Sequence, residues 1–176
     1  MTRTTLGPRF FFALWPDPAT RAALTQLQAG LAGNLQVPGK LHLTLAFLGQ
    51  RAETDLLALR RVLRQVPARA MTLELDRYGH FGGQRIAWAG PSEAPEQLLA
   101  LRAALMRLLA ADGFAPEFEA DRFRPHVTLA RKAPAPAAAG FAPLRWRADE
   151  LVLATSPGTL SGTDEGYRIV ASRRLA

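Results

Sequence analysis

Apolar side chains recur along this chain with two different periods, and the switches between them predict its elements. Residues 9–15 (RFFFALW) form a continuous aromatic-rich run between Pro8 and Pro16, which reads as a strand buried on both faces. Asp17 and Pro18 then open a helix in which Leu24, Leu27 and Leu31 recur at helical spacing until Gly33 stops it. Residues 40–49 (KLHLTLAFLG) alternate polar with apolar and predict a strand. A second helix is predicted over 54–65, with Leu56, Leu59 and Leu63 inward and Arg60, Arg61 and Arg64 on or near the outer face. Two strands follow, 71–78 and 84–89, joined by the glycine-rich stretch 79–83. The clearest helix carries Leu98, Leu101, Leu105 and Leu108, opens near Ser92 and closes at Gly113. Residues 124–131 (RPHVTLAR) read as a strand, 133–140 as an exposed connection, and 144–154 and 167–172 as the last strands. This mixed order predicts an α+β fold with antiparallel sheets.

Composition narrows the chemistry. At 176 residues the chain is long enough for one domain, spanning residues 1–176, to bury a core without staples, and it has no Cys. Thiolate nucleophiles, disulfide frameworks and cysteine metal sites are therefore excluded. The longest early apolar run, 10–15, is too short for a secretory core or a membrane span, so a cytoplasmic location is expected. Twenty Arg and two Lys against 15 Asp and Glu give a net charge of +7. That balance favours a polyanionic partner, since guanidinium pairs bidentately with phosphate, although an arginine-rich composition can also reflect coding-genome base composition.

Two of the three histidines open the same pattern of His, aliphatic, Thr, Leu: His42-Leu43-Thr44-Leu45 and His126-Val127-Thr128-Leu129, 84 residues apart. In a strand, positions i and i+2 share a face. His42 therefore sides with Thr44 and His126 with Thr128, while Leu43, Leu45, Val127 and Leu129 point to the core. Placed side by side, the two strands would gather two imidazoles and two hydroxyls into a pocket for a tetrahedral oxyanion. The matching chemistry is general acid and base catalysis on a phosphodiester, with one histidine taking a proton from the nucleophile and the other giving one to the leaving oxygen. Neither motif has an adjacent carboxylate, and no third histidine is near, so the pattern calls for no metal and no other cofactor. Two groups titrating near the ordinary histidine value of ~6.5 would give a bell-shaped pH profile.

These motifs resemble the paired HxTx motifs of the two-histidine (2H) phosphoesterases. The flanking RFFFALWPDP, KLHLTLAFLG, QRIAWAG and FRPHVTLAR segments are similar to the RNA 2′,3′-cyclic phosphodiesterases, also called 2′-5′ RNA ligases, along essentially the whole chain. The resemblance implies a bilobal α+β fold in which two antiparallel sheets line a central cleft and helices pack outside. It also implies metal-independent hydrolysis of RNA 2′,3′-cyclic phosphate ends to 2′-phosphomonoesters, with weak reversible 2′-5′ ligation. By position, His42 would be the proton donor to the leaving 3′ oxygen and His126 the proton acceptor that activates water. Thr44 and Thr128 would hold the phosphate, and Arg131 would contact it. Simple alternation puts Arg131 on the face opposite His126, so that contact requires the strand to end or bend near Ala130. The lead-in Pro38-Gly39-Lys40 departs from the Pro-Glu-Asn type seen in relatives, while Ser156 and Tyr167 keep the spacing of the closing hairpin.

Other signals carry less. The stretch 33–40 (GNLQVPGK) has five residues between its glycines and Leu41 where a phosphate-binding loop needs Ser or Thr. His80 in its glycine-rich turn reads as an exposed residue without a role, and Phe10 and Phe12 read as core more than as base-stacking platforms. Arg122, Arg124, Arg131 and Lys132 form an acid-free basic stretch around the second motif. Two alternatives remain open at this level: a cyclic phosphodiesterase for small nucleotides such as ADP-ribose 1″,2″-cyclic phosphate, and a non-catalytic RNA-end-binding module. The partner expected is an RNA with a 2′,3′-cyclic phosphate end, taken by a monomer away from any membrane.

Overall fold

The computed structural model describes residues 8–114, 123–156 and 166–176. Its strands are β1 (Arg9–Leu14), β2 (Asn34–Leu35), β3 (Leu43–Gln50), β4 (Met71–Phe81), β5 (Ile86–Gly90), β6 (Val127–Arg131), β7 (Gly140–Ala148), β8 (Glu150–Ser156) and β9 (Arg168–Arg174). The α-helices are α1 (Pro18–Gln26), α2 (Leu56–Gln65) and α3 (Glu96–Ala111). The strands pair antiparallel in the order β7-β4-β5-β6-β3-β1-β8-β9, with β2 alongside β6. That order is thinnest in its middle, where β3 and β6 share the single pair Leu43↔Val127. The α+β fold is therefore built from two four-stranded antiparallel halves, β7-β4-β5-β6 and β3-β1-β8-β9, which meet at a seam.

Helices cover one face of both halves. Leu24 of α1, Leu59 and Leu63 of α2, and Leu98 and Leu105 of α3 meet Phe12, Leu43, Leu73, Val127, Trp146 and Leu153 in one buried core. The apolar stripes read from the sequence are these faces, and their burial is the main driving force for the fold. Phe10 and Phe12 belong to this core and not to a ligand surface.

Four sequence expectations need correction. Helix α1 stops at Gln26 and not at Gly33, because the chain leaves the helix so that Gln28 can turn under the sheet; Gly30 and Gly33 then take positive φ. The predicted strand 144–154 is two strands broken at Asp149: β7 pairs with β4 in one half and β8 with β1 in the other, and the Asp149 carboxylate accepts from Arg174 Nη1 at 2.9 Å. Strand β4 runs on to Phe81, so His80 lies in the ladder, half-buried, with Nε2 2.9 Å from the Ala133 carbonyl. Helix α3 opens at Glu96 behind Pro95; Ser92 bonds the Asp76 carboxylate through its N–H and hydroxyl instead.

Candidate active site

The two histidine motifs flank the seam. Leu43 and Val127, each directly after its histidine, are the one pair that β3 and β6 form, and both are fully buried. Carried one residue each way, the antiparallel register sets His42 beside Thr128 and Thr44 beside His126. The alternation predicted for both motifs is observed: Leu43, Leu45, Val127 and Leu129 are core, and the four polar residues lie on the face away from the helices, each partly exposed. The structure brings His42, Thr44, His126 and Thr128 together.

Both imidazoles are held in the same way. His42 Nδ1 lies 2.7 Å from the Lys40 carbonyl and His126 Nδ1 lies 2.7 Å from the Arg124 carbonyl. A carbonyl only accepts, so Nδ1 carries the proton and Nε2 is left for chemistry. His42 Nε2 is 2.9 Å from Thr44 Oγ1. The Pro38-Gly39-Lys40 lead-in is a 3₁₀ turn, and Arg21 of α1 fixes it by donating to the Pro38 and Leu41 carbonyls.

Aromatic rings pack around each histidine; of these the sequence reading singled out Tyr167 alone, and only for its spacing from Ser156. Trp15 stacks on His42 at 5.6 Å between centroids, Phe11 tilts against it at 4.9 Å and Tyr167 meets it edge-on at 5.1 Å. Phe81 meets His126 edge-on at 4.9 Å and Trp88 lies 5.9 Å away. Trp88 lies over Gly79, where an added Cβ would come 2.0 Å from Trp88 Cζ2, so only glycine leaves room for the ring. The available signal was alternation in β1, which puts Phe11 and Ala13 opposite the core residues Phe10 and Phe12.

Burial pushes His42 down to about 4, against an opposing pull from the Lys40 carbonyl; His126, Arg131 and Arg21 lower it further. His126 is lowered too, first by burial, with the Arg124 carbonyl opposing and Arg131 adding to the fall. Two groups near 6.5 are therefore not what the free protein presents.

Arg131 reaches the site face through a β-bulge. Trp88 pairs with Thr128 and Ala87 with Ala130, which leaves Leu129 as the extra residue. Ile86 pairs with Arg131, so Arg131 shares the face of Trp88 and Thr128, and it is exposed there. The Leu129 carbonyl at the bulge accepts from the Gln36 N–H at 2.8 Å and from Gln28 Nε2 at 2.9 Å. Strand β3 repeats the device. Ala13 pairs with Thr44 and Phe12 with Ala46, leaving Leu45 extra; Phe11 then pairs with Phe47, and the Leu45 carbonyl accepts from Arg102 Nε at 3.2 Å. Phe47 thus lies on the site face and is 40% exposed.

A profile of the 2′-5′ RNA ligase superfamily matches residues 11–159, a span that holds both histidine motifs. The chain belongs to the 2′-5′ RNA ligase superfamily. The chain is 38% identical over 141 residues to the RNA 2′,3′-cyclic phosphodiesterase of Thermus thermophilus, covering 73% of this chain and 71% of that one. It is 35% identical over 103 residues to the RNA 2′,3′-cyclic phosphodiesterase of Escherichia coli, covering 58% of this chain and 57% of that enzyme's length. The crystal structure of Escherichia coli LigT in apo form superposes with a TM-score of 0.82 at 26% identity, over 97% of this chain and 98% of that one. The fold of the superfamily thus extends over nearly the whole chain.

Proposed function

We propose that this protein hydrolyses RNA 2′,3′-cyclic phosphate ends to 2′-phosphomonoesters by two-histidine acid and base catalysis. The observation that carries the reading is the seam, where two imidazoles with matching Nδ1 anchors, each with Nε2 left for chemistry, share one face with two threonine hydroxyls. The relatives' activity and the superfamily's fold support it.

In this reading His126 Nε2 takes a proton from water as the water oxygen bonds to phosphorus. The P–O3′ bond breaks, and His42 Nε2–H gives its proton to the departing 3′ oxygen. A 2′-phosphomonoester and a 3′-hydroxyl result, and proton exchange with solvent resets the pair. Thr44 and Thr128 donate to non-bridging oxygens, and Arg131 offers a bidentate contact to the phosphate. Phe47 offers an aromatic face to the terminal base. With a 5′-hydroxyl in place of water, the same course, in which O5′ bonds to phosphorus as P–O3′ breaks, gives weak 2′-5′ joining.

The partly buried imidazoles disfavour protonation in the free protein, so the anionic cyclic phosphate supplies the countercharge that lets His42 hold its proton. Both histidines come from one chain, which suits a single two-lobed catalytic unit acting as a monomer, and the reading places it in the cytoplasm with RNA ends. Among the described residues no helix is long and apolar enough to cross a membrane.

The test is incubation with an oligoribonucleotide ending in a 2′,3′-cyclic phosphate, in excess EDTA, resolving 2′- from 3′-phosphate products. A 2′-phosphate formed in chelator supports the reading. A 3′-phosphate, chelator-sensitive turnover, or binding with no turnover would each reject it, the last in favour of an RNA-end-binding module.

A further inference from the structure

The net positive charge of this protein comes from two acid-free segments in and beside one half of its sheet. Residues 77–92 and 122–148 contain eight of the 22 Lys and Arg and none of the 15 Asp and Glu. The rest of the chain then holds 14 cations and 15 acids, which is close to neutral. Those two segments supply the end of β4, and all of β5, β6 and β7, the four strands of the His126 half.

Strand register decides which way several of these arginines face. Arg77 pairs with Gly90 and Gly79 with Trp88, so Arg77 shares the face of Trp88, Thr128 and Arg131. Its guanidinium lies 5.3 Å from the centre of the Trp88 ring. Further along, Leu73 pairs with Trp146 and Leu75 with Leu144, and Leu73, Leu75 and Trp146 belong to the core. Arg145 and Arg147, which flank Trp146, therefore project from the same face as the site, and both are exposed. Glu74, opposite Arg145, and Asp76, whose carboxylate is held by Ser92, are the acids on that stretch of β4, and Arg147 lies 3.9 Å from Asp149 with a side chain 69% exposed. A line of guanidinium groups thus leads from Arg131 past Arg77 to Arg145 and Arg147, away from the histidines and toward the β7 edge.

A mononucleotide phosphate held between the histidines has no use for cations two strands away. A chain of phosphates does, because each neutralised phosphate releases counterions and adds to affinity. We propose that this arginine-bearing face of β4 and β7 is the track for the single-stranded RNA body on the 5′ side of the cyclic phosphate. The inference rests on the proposed activity and makes the substrate class an oligonucleotide end, not a small cyclic nucleotide.

The test pairs binding with turnover. Binding of a 5′-fluorescein RNA of about 12 nucleotides ending in a 2′-phosphate is followed by anisotropy across a salt series, with 2′-AMP as the mononucleotide competitor. Turnover is measured on 2′,3′-cyclic AMP. The expected result is that Arg145→Ala/Arg147→Ala weakens the oligonucleotide roughly tenfold and lowers the log–log salt slope by about 1.4, two single-strand phosphate contacts. Its kcat/KM on 2′,3′-cyclic AMP stays at the parent value. Arg64→Ala/Arg107→Ala, exposed on α2 and α3 on the other side of the sheet, should leave oligonucleotide binding unchanged. The track is overturned if the parent binds the oligonucleotide no tighter than 2′-AMP, if the helix-side pair weakens it equally, or if the salt slope of the β7 variant does not change. Loss of turnover on cyclic phosphates by the parent, with salt-dependent oligonucleotide binding intact, would reject the activity and leave the track standing.

Discussion

Phe47 and Arg131 occupy equivalent places in the two halves of the site: each stands five residues after its histidine, and each is returned to the site face by a bulge that follows the threonine. One device therefore delivers an aromatic face on one side of the seam and a guanidinium on the other. Their loss should be felt differently. Arg131→Ala is expected to lower kcat on the cyclic phosphate by roughly 10²-fold, the scale of one lost oxyanion contact, and Arg131→Lys to recover it only in part. Phe47→Ala should raise KM for nucleotide substrates by roughly 1–3 kcal/mol of lost stacking. Steady-state kinetics on 2′,3′-cyclic AMP separate the two, and a kcat loss in Phe47→Ala equal to that of Arg131→Ala would contradict the assignment.

His42→Ala and His126→Ala should each lose roughly 10²-fold or more of kcat/KM, with Thr44→Ala and Thr128→Ala losing less. The two histidines act as one unit, so the double variant should lose little more than either single one. Additive losses in a double-mutant cycle would show that they act on separate steps.

The pH dependence follows from the burial of both imidazoles. Turnover from free enzyme needs one imidazolium and one neutral imidazole, and His42 is held down to about 4 with His126 also below its ordinary value. The maximum of kcat/KM should therefore lie below pH 6.5 and fall as pH rises through neutrality, while bound phosphate anion should move the limbs of kcat upward. Stability has the opposite slope. The unfolded chain takes up a proton at His42 as pH falls past 6.5 and the folded chain does not until about 4, so roughly 3 kcal/mol is lost between those values. Urea unfolding at both ends of that window checks it, and His42→Gln should flatten the difference.

The bulge at Leu129 depends on the buried amide of Gln28, which donates to the Gln36 and Leu129 carbonyls at 2.7 and 2.9 Å. Gln28→Leu leaves both without that donor. A loss of roughly 1–3 kcal/mol in unfolding free energy is expected, with a fall in activity that Arg131→Ala does not deepen. Full additivity with Arg131→Ala would place the effect of Gln28 elsewhere.

Much of this site was legible as alternation. His42 with Thr44 and His126 with Thr128 needed only a period of two, and the buried Leu43 and Val127 confirm the faces. Arg131 was harder, because a bulge breaks that period and alternation alone turns it away from the site. The signal lay in the repeat itself: after the threonine both strands read Leu-Ala, two adjacent core residues where strict alternation allows one, and that doubling also marks Phe47. The aromatic rings around the histidines come from β1, β4, β5 and the residue before β9, so their meeting depends on strand order, which local pattern does not encode. For the same reason 144–154 read as one strand, since nothing local shows that the chain passes at Asp149 from one half to the other.

The single pair Leu43↔Val127 gives the sheet the layout of a caliper. Each jaw is one half of the sheet with its own hydrogen-bonded ladders, four strands on one side and four with β2 added beside β6 on the other, and the two histidines are mounted next to the joint, one per jaw. The gap between acid and base is therefore set where the two ladders meet, by the backbone spacing of β3 and β6 at that pair, and by neither ladder alone.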